Sequence, residues 1–284
     1  NILAIIELRA VIEKQQELLR LILWVMSQGP IVFRGQKLKS VLEWDQVRAV
    51  SATSLGASQS LNTILKGSSA VGIPVRDLYP IARCVIEGFI NAAFFVTQPV
   101  EVSQRALKHK DYAAWKHMNR VIGTGEFAFT LSTGPDPKAS AALMFPEFAG
   151  KGQGSWSTLD APSKIDRIGQ VVRPAGGALL GAYGLIYAIS SEIIHGSVYG
   201  MSYFMSAHPS EMNVEGFLAN TESQVVDILS AVSHATSGFL AAFAQIHNCQ
   251  PLIDVERKLF KRLYKAAQSE DFGRDSSSSA KKQD

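Results

Sequence analysis

Two long stretches of this chain are almost free of charge, and that shortage limits the fold more than any other feature. Between Leu78 and Val100 only Arg83 and Glu87 are charged, and between Pro174 and Ser210 only Glu192. Residues 75–98 place Leu78, Ala82, Val85, Ile86, Phe89 and Ala93 on one face at helical spacing, and Phe94 with Phe95 widens that face to most of the circumference. A helix that is apolar nearly all round has to be enclosed by other helices. The second stretch, 175–195, carries Gly176, Gly177, Gly181 and Gly184, and the Gly177-x-x-x-Gly181 spacing is one that lets helices approach closely in bilayers. No basic flank follows it, and Glu192 with His195 cuts it short, so a central helix in water is expected rather than a membrane span.

The rest of the chain reads as further helices. Residues 2–26 form an amphipathic helix closed by Gln28-Gly29-Pro30, and helical signals resume from Leu42 to Leu65. A more polar helix is predicted over 102–122, followed by a Gly-, Pro- and Ser-rich connection to residue 160 with one short helix near Ala139 to Met144. Connections of that length are uncommon inside compact domains and point to a lid or a partner surface. Residues 214–247 make a long helix with Asn213 as its N-cap, 251–267 a basic amphipathic helix, and the serine-rich end a disordered tail. No alternating run is long enough to require a sheet. With 46% hydrophobic and only 19% charged residues, against roughly 25% charged in ordinary soluble domains, unusually much of the 284-residue chain is expected to be buried, and the helical periodicities make it all-α. The predicted architecture is a single-domain helical bundle with a long irregular insertion. Its core covers 48–248, its peripheral ends are a helix and connection over 1–47 and a basic helix over 249–270, and 271–284 is the tail.

The 28 basic and 25 acidic side chains leave +3, which neither requires nor excludes nucleic acid. The cations of the 251–267 helix suit RNA, DNA phosphates or an anionic membrane, and an ordinary solvated helix face explains them equally well. Cys84 and Cys249 lack Cys-x-x-Cys spacing and read as plain core thiols in a reducing compartment, which places the protein in the cytoplasm. The chain opens at Asn1 without a methionine and so reads as a fragment or processed form.

Chemistry is expected where the scarce charges meet. Arg83 and Glu87 stand at i and i+4 on one face, and burying them is costly unless another helix supplies polar partners. Glu192 and His195, at i and i+3, are the candidates, with Tyr187, Ser191 and His195 at successive i+4 positions beside them. A carboxylate next to a histidine sets its tautomer, and an arginine binds anions, so Arg83, Glu87, Glu192 and His195 form a candidate acid/base site lined by Tyr187 and Ser191. The competing reading is a hydrogen-bonded network that only fixes helix register. Glu192-x-x-His195 is the unit used twice in di-iron bundles, but it occurs once here, so no metal site is expected from it with Glu87, Asp227 and His234. Asp227, Ser230 and His234 read instead as a satisfied polar seam. Gly123-Thr124-Gly125-Glu126-Phe127-Ala128 fits G-x-G-x-x-A but follows a helix, and neither a Walker motif nor a Gly-x-Ser-x-Gly elbow is present. His109, His117, His208 and His247 read as surface or capping residues.

Two segments carry a family resemblance. Asp77-Leu78-Tyr79-Pro80-Ile81-Ala82-Arg83-Cys84-Val85-Ile86-Glu87 and Tyr187-Ala188-Ile189-Ser190-Ser191-Glu192-Ile193-Ile194-His195-Gly196 resemble the Arg-x-x-x-Glu and Ser-x-x-x-His helices of bacterial domain-of-unknown-function family 5677. The resemblance covers about residues 48–248 and implies an α-helical fold without an established activity. It extends more distantly to the helical HEPN group, some of whose members cut RNA with an arginine and a histidine that have four to six residues between them. This chain departs from that motif, since only three residues separate Arg105 from His109. The functional expectation is a soluble protein whose Arg/Glu/His cluster binds an anionic or nucleotide-like ligand or RNA and acts hydrolytically. The alternative is a non-enzymatic interaction or homo-oligomerisation module. The sequence leaves the cofactor unknown.

Overall fold

Burial follows the apolar stripes read from the sequence. The computed structural model describes residues 1–68, 75–134, 137–150, 152–205 and 214–278. α1 (Ile2–Gln28) buries Leu8, Ile12, Leu19 and Ile22 and stops at Gly29, whose φ of 110° suits glycine ahead of Pro30. A short hairpin, β1 (Ile31–Phe33) with β2 (Gln36–Leu38), leads to α2 (Trp44–Gly67). α2 begins with a reciprocal cap in which the Glu43 side chain accepts from the Gln46 amide and Gln46 Oε1 accepts from the Glu43 amide at 3.1 Å. α3 (Val75–Thr97) and α4 (Val100–Met118) follow, then the hairpin β3 (Arg120–Thr124) and β4 (Phe127–Leu131). Short helices α5 (Pro137–Met144) and α6 (Pro146–Ala149) precede α7 (Ala161–Val171), which Asp160 caps by accepting from the Ser163 amide at 2.9 Å. The chain closes with α8 (Arg173–Ile194), α9 (Val198–Met205), α10 (Val214–Ile246) and α11 (Gln250–Ser278).

The centre of the bundle is α10, which packs on α1, α3, α8 and α11. Its Phe239 stacks on Phe89 of α3 with ring centroids 5.5 Å apart. On the opposite side, buried Gln15 of α1 donates to the Ser233 carbonyl at 3.0 Å while its Oε1 accepts from the Ser233 hydroxyl at 2.9 Å. That exchange satisfies the polar side chains inside an apolar interface. α1 and α11 contribute to the same hydrophobic cluster as the central helices, and Arg262 on α11 meets Glu7 on α1 at 2.7 Å.

The all-α expectation holds, with two small hairpins added. The helix predicted over 102–122 ends at Met118, because Gly123 (φ 90°) and Gly125 (φ 58°) turn the chain back into β4. The G-x-G-x-x-A stretch is therefore a hairpin turn and not a phosphate loop. α11 continues to Ser278, beyond the predicted end near 267, so 271–278 is helical where a tail is expected, and 279–284 lie outside the described residues, as do Asn213 and His208. Cys249 is buried as expected, whereas Cys84 is exposed on the outer face of α3. His247 is not a surface residue. It is buried, its Nδ1 donating to the Phe243 carbonyl at 2.8 Å. His109 is half-buried and donates through Nε2 to the Gly154 carbonyl at 3.1 Å, and His117 is exposed. Three described helical stretches are long and apolar enough to cross a membrane by length and composition: Val75–Thr97, Arg173–Ile194 and Asn220–Ile246.

Candidate functional site

The charged stripe of α3 faces α7 and α8. Arg83, Glu87 and Asn91 recur every four residues and therefore line one side of the helix. Arg83 Nε donates to Glu87 Oε1 at 2.9 Å, and one of its terminal nitrogens donates to the Tyr187 hydroxyl of α8 at 2.8 Å. The guanidinium carbon lies 4.2 Å from the Tyr187 ring centroid, and Tyr187 stacks on Tyr183 at 4.1 Å, so the cation sits against an aromatic pair. The Arg83 side chain is 20% exposed and that of Glu87 43%, which leaves the pair at the edge of the core and open to water.

Lys164 of α7 completes the patch. Its Nζ donates to Asn91 Oδ1 at 2.9 Å and lies 4.1 Å from the Trp156 ring centroid. Burial pulls this amine down to about 8, against the opposing fields of Glu87 and Asp160. The Tyr183 hydroxyl is pushed up, first by burial and then by the neighbouring Tyr187, Asp160 and Glu87. Trp156 is held there because Arg105 of α4 donates to its carbonyl at 3.2 Å and to that of Ser155 at 3.1 Å. The irregular segment is thus tied to α4 by its backbone. α7 and α8 meet closely because a side chain at Gly176 would come within 2.5 Å of the Gly169 Cα. Two glycines in contact are what bring Lys164 and Tyr183 onto one surface.

The predicted cluster is brought together only in part. Arg83, Glu87 and Tyr187 meet, whereas among the described residues Glu192 and His195 make no side-chain hydrogen bond or ion pair with them. The reason is register. Arg83 meets Tyr187, while Phe89 further along α3 stacks on Phe239 of α10, whose neighbour Gly238 packs on Leu179 and Ala175 near the start of α8, so α3 and α8 run antiparallel. Beyond Tyr187, α8 therefore moves away from Glu87, and eight residues place His195 about 12 Å further along the axis at 1.5 Å per residue. His195 is the exposed C-cap of α8, its amide donating to the Ser191 carbonyl at 3.0 Å, and Glu192 and Ser191 are half-buried in the last turn. Lys164, Asn91 and Trp156 join the patch without any sequence motif that marks them. Asn91 was visible as the next step of the Arg83–Glu87 stripe, but Lys164 and Trp156 depend on how α7 and the irregular segment dock.

Asp227, Ser230 and His234 line a separate groove of about 490 Å³ between α8, α10 and α11. His234 Nδ1 donates to the Ser230 carbonyl at 2.8 Å, and burial pulls the imidazole below its usual range against that hydrogen bond. Among the described residues the buried Ser230 hydroxyl has no hydrogen-bond partner, so this seam is not the fully satisfied one the sequence suggests. Among the described residues no three His, Cys, Asp or Glu side chains are grouped so as to hold a metal ion.

Comparison with known proteins adds one finding, for no curated protein and no solved structure matches the chain. Residues 52–213, more than half of the chain, match the model of a family of unknown function, DUF5677. The match takes in Arg83, Glu87, Lys164 and Tyr187 and stops short of α10, a narrower span than the 48–248 expected from the sequence. The chain belongs to the DUF5677 family.

Proposed function

We propose that the α3/α7/α8 patch binds an anionic, nucleotide-like ligand, with Arg83 and Lys164 receiving a phosphate and the Tyr183–Tyr187 pair flanking the organic part. The observation that carries this reading is the pairing of two cations with one ordered carboxylate, Glu87, beside a stacked aromatic pair. Asp160, the other nearby acid, is engaged in capping α7. Arginine and lysine in a partly dry, aromatic setting bind phosphate oxygens more strongly than they do in open water. For a hydrolytic step the base is Glu87, whose side chain is 43% exposed and so within reach of water.

Calorimetric titration with adenosine monophosphate and with inorganic phosphate tests this. Arg83→Gln and Lys164→Gln should each weaken binding by roughly tenfold or more, since a charge-assisted contact is worth about 1.5–3 kcal/mol. His195→Asn should leave it unchanged. Unaltered binding in Arg83→Gln, together with a large fall in melting temperature, would assign the pair to register fixing instead. The reading also takes the chain as a soluble cytoplasmic protein, supported by the exposed cations Arg257, Lys258, Lys261 and Lys265 along α11. Carbonate extraction of the expressed protein should then release it, and retention in the pellet would contradict that.

A further inference from the structure

A second site reaches beyond the family segment, where α11 lies beside α8 and α10. Glu256 is only 8% exposed, although it stands in the basic stretch of α11 beside Arg257 and Lys258. One carboxyl oxygen accepts a short hydrogen bond from the buried Ser237 hydroxyl of α10, and the other has no partner among the described residues. That second oxygen is not sealed in the core but opens on a cavity, where the carboxyl offers an acceptor to whatever enters.

That carboxyl lines a cavity of about 300 Å³ whose other walls are mainly apolar, with Gly177 and Ala178 from α8, Ala241 from α10, and Ile253 and Phe260 from α11. The volume is at the lower end of the range for small-molecule sites, and an apolar chamber with one polar anchor is the usual composition of such sites. The space beside Gly177 is open, since a Cβ there would meet nothing within 4 Å. The Gly177-x-x-x-Gly181 spacing is therefore not a close helix contact at its first glycine but one side of this chamber. Burial pushes the Glu256 carboxyl up, opposed by the Ser237 hydroxyl and then by Arg257. Arg257 stands exposed on the rim, where water screens it.

We propose that this chamber binds a small organic cation with an apolar body, its ammonium group on Glu256 and its hydrocarbon against Phe260, Ile253 and Ala178. A primary alkylammonium supplies both what the carboxyl lacks and what the walls select. The aromatic face of Phe260 favours the same charge sign. The inference does not depend on the α3/α7/α8 patch, because the two sites share no residue.

The test is titration of the full chain with n-octylammonium chloride, n-octanoate and n-octanol, each below its aggregation threshold, read by calorimetry. The expected result is saturable binding of n-octylammonium in preference to the other two. Glu256→Gln should weaken it by roughly tenfold or more, as the loss of one charge-assisted contact implies, and should bring n-octanol level with it. Should Glu256→Gln fail to fold, Gly177→Phe fills the chamber from α8 and should abolish binding while far-ultraviolet circular dichroism stays unchanged. Binding of n-octanoate in preference to n-octylammonium, no binding of any probe, or n-octylammonium affinity unaltered in Gly177→Phe would each overturn the proposal.

Discussion

α8 and α10 have the same mean hydropathy, yet 33% of the apolar stretch of α8 is buried against 89% of that of α10. The difference lies in side-chain size and in neighbours. α10 offers Phe239, Leu240 and Phe243 and is met by four helices, so each large side chain finds a complementary surface. α8 meets its neighbours through small residues such as Gly176, Ala178 and Ala182 and leaves Leu180 and Leu185 exposed at 57% and 44%. Hydropathy thus identifies which helices are oily without deciding which is enclosed.

Mutations at matched apolar positions sharpen the contrast. Phe239→Ala removes a fully buried ring stacked on Phe89 and should destabilise the protein by about 3–5 kcal/mol in chemical denaturation. A loss below about 1 kcal/mol would mean that α10 is not the packed centre. Leu180→Ser on α8 should change stability by no more than about 0.5 kcal/mol, because the side chain already stands mostly in water. A loss as large as that of Phe239→Ala would show that the outer face of α8 is covered in solution and that the contrast between the two helices is false.

The same contrast explains what could be read from the sequence. Period and composition were sufficient for the helices, because Leu78, Ala82, Val85 and Phe89 repeat as a buried stripe irrespective of what surrounds them. The pairing of Arg83 with Glu87 was equally legible, being local to one helix. Which residue of α8 meets Arg83 was not, since helical spacing gives Tyr187, Ser191 and His195 the same face, and only the antiparallel register singles out Tyr187. Lys164 was hidden for a related reason: its neighbours Asn91 and Trp156 lie 73 residues before it and in an irregular segment. The hairpin at 120–131 is not legible from periodicity, because its two strands are short and mostly exposed and only Gly123 and Gly125, the positive-φ positions of its turn, mark it.

The central claim, that Arg83 and Lys164 jointly receive an anion, is most directly tested at the Lys164 amine. Its titration can be followed by nuclear magnetic resonance of lysine-labelled protein, with Lys164→Gln giving the assignment. In the free protein the amine should titrate at about 8. Saturating adenosine monophosphate should move that midpoint upward, because a bound phosphate favours the charged form, and Arg83→Gln should suppress the shift. A midpoint that stays put while the nucleotide binds would contradict the account.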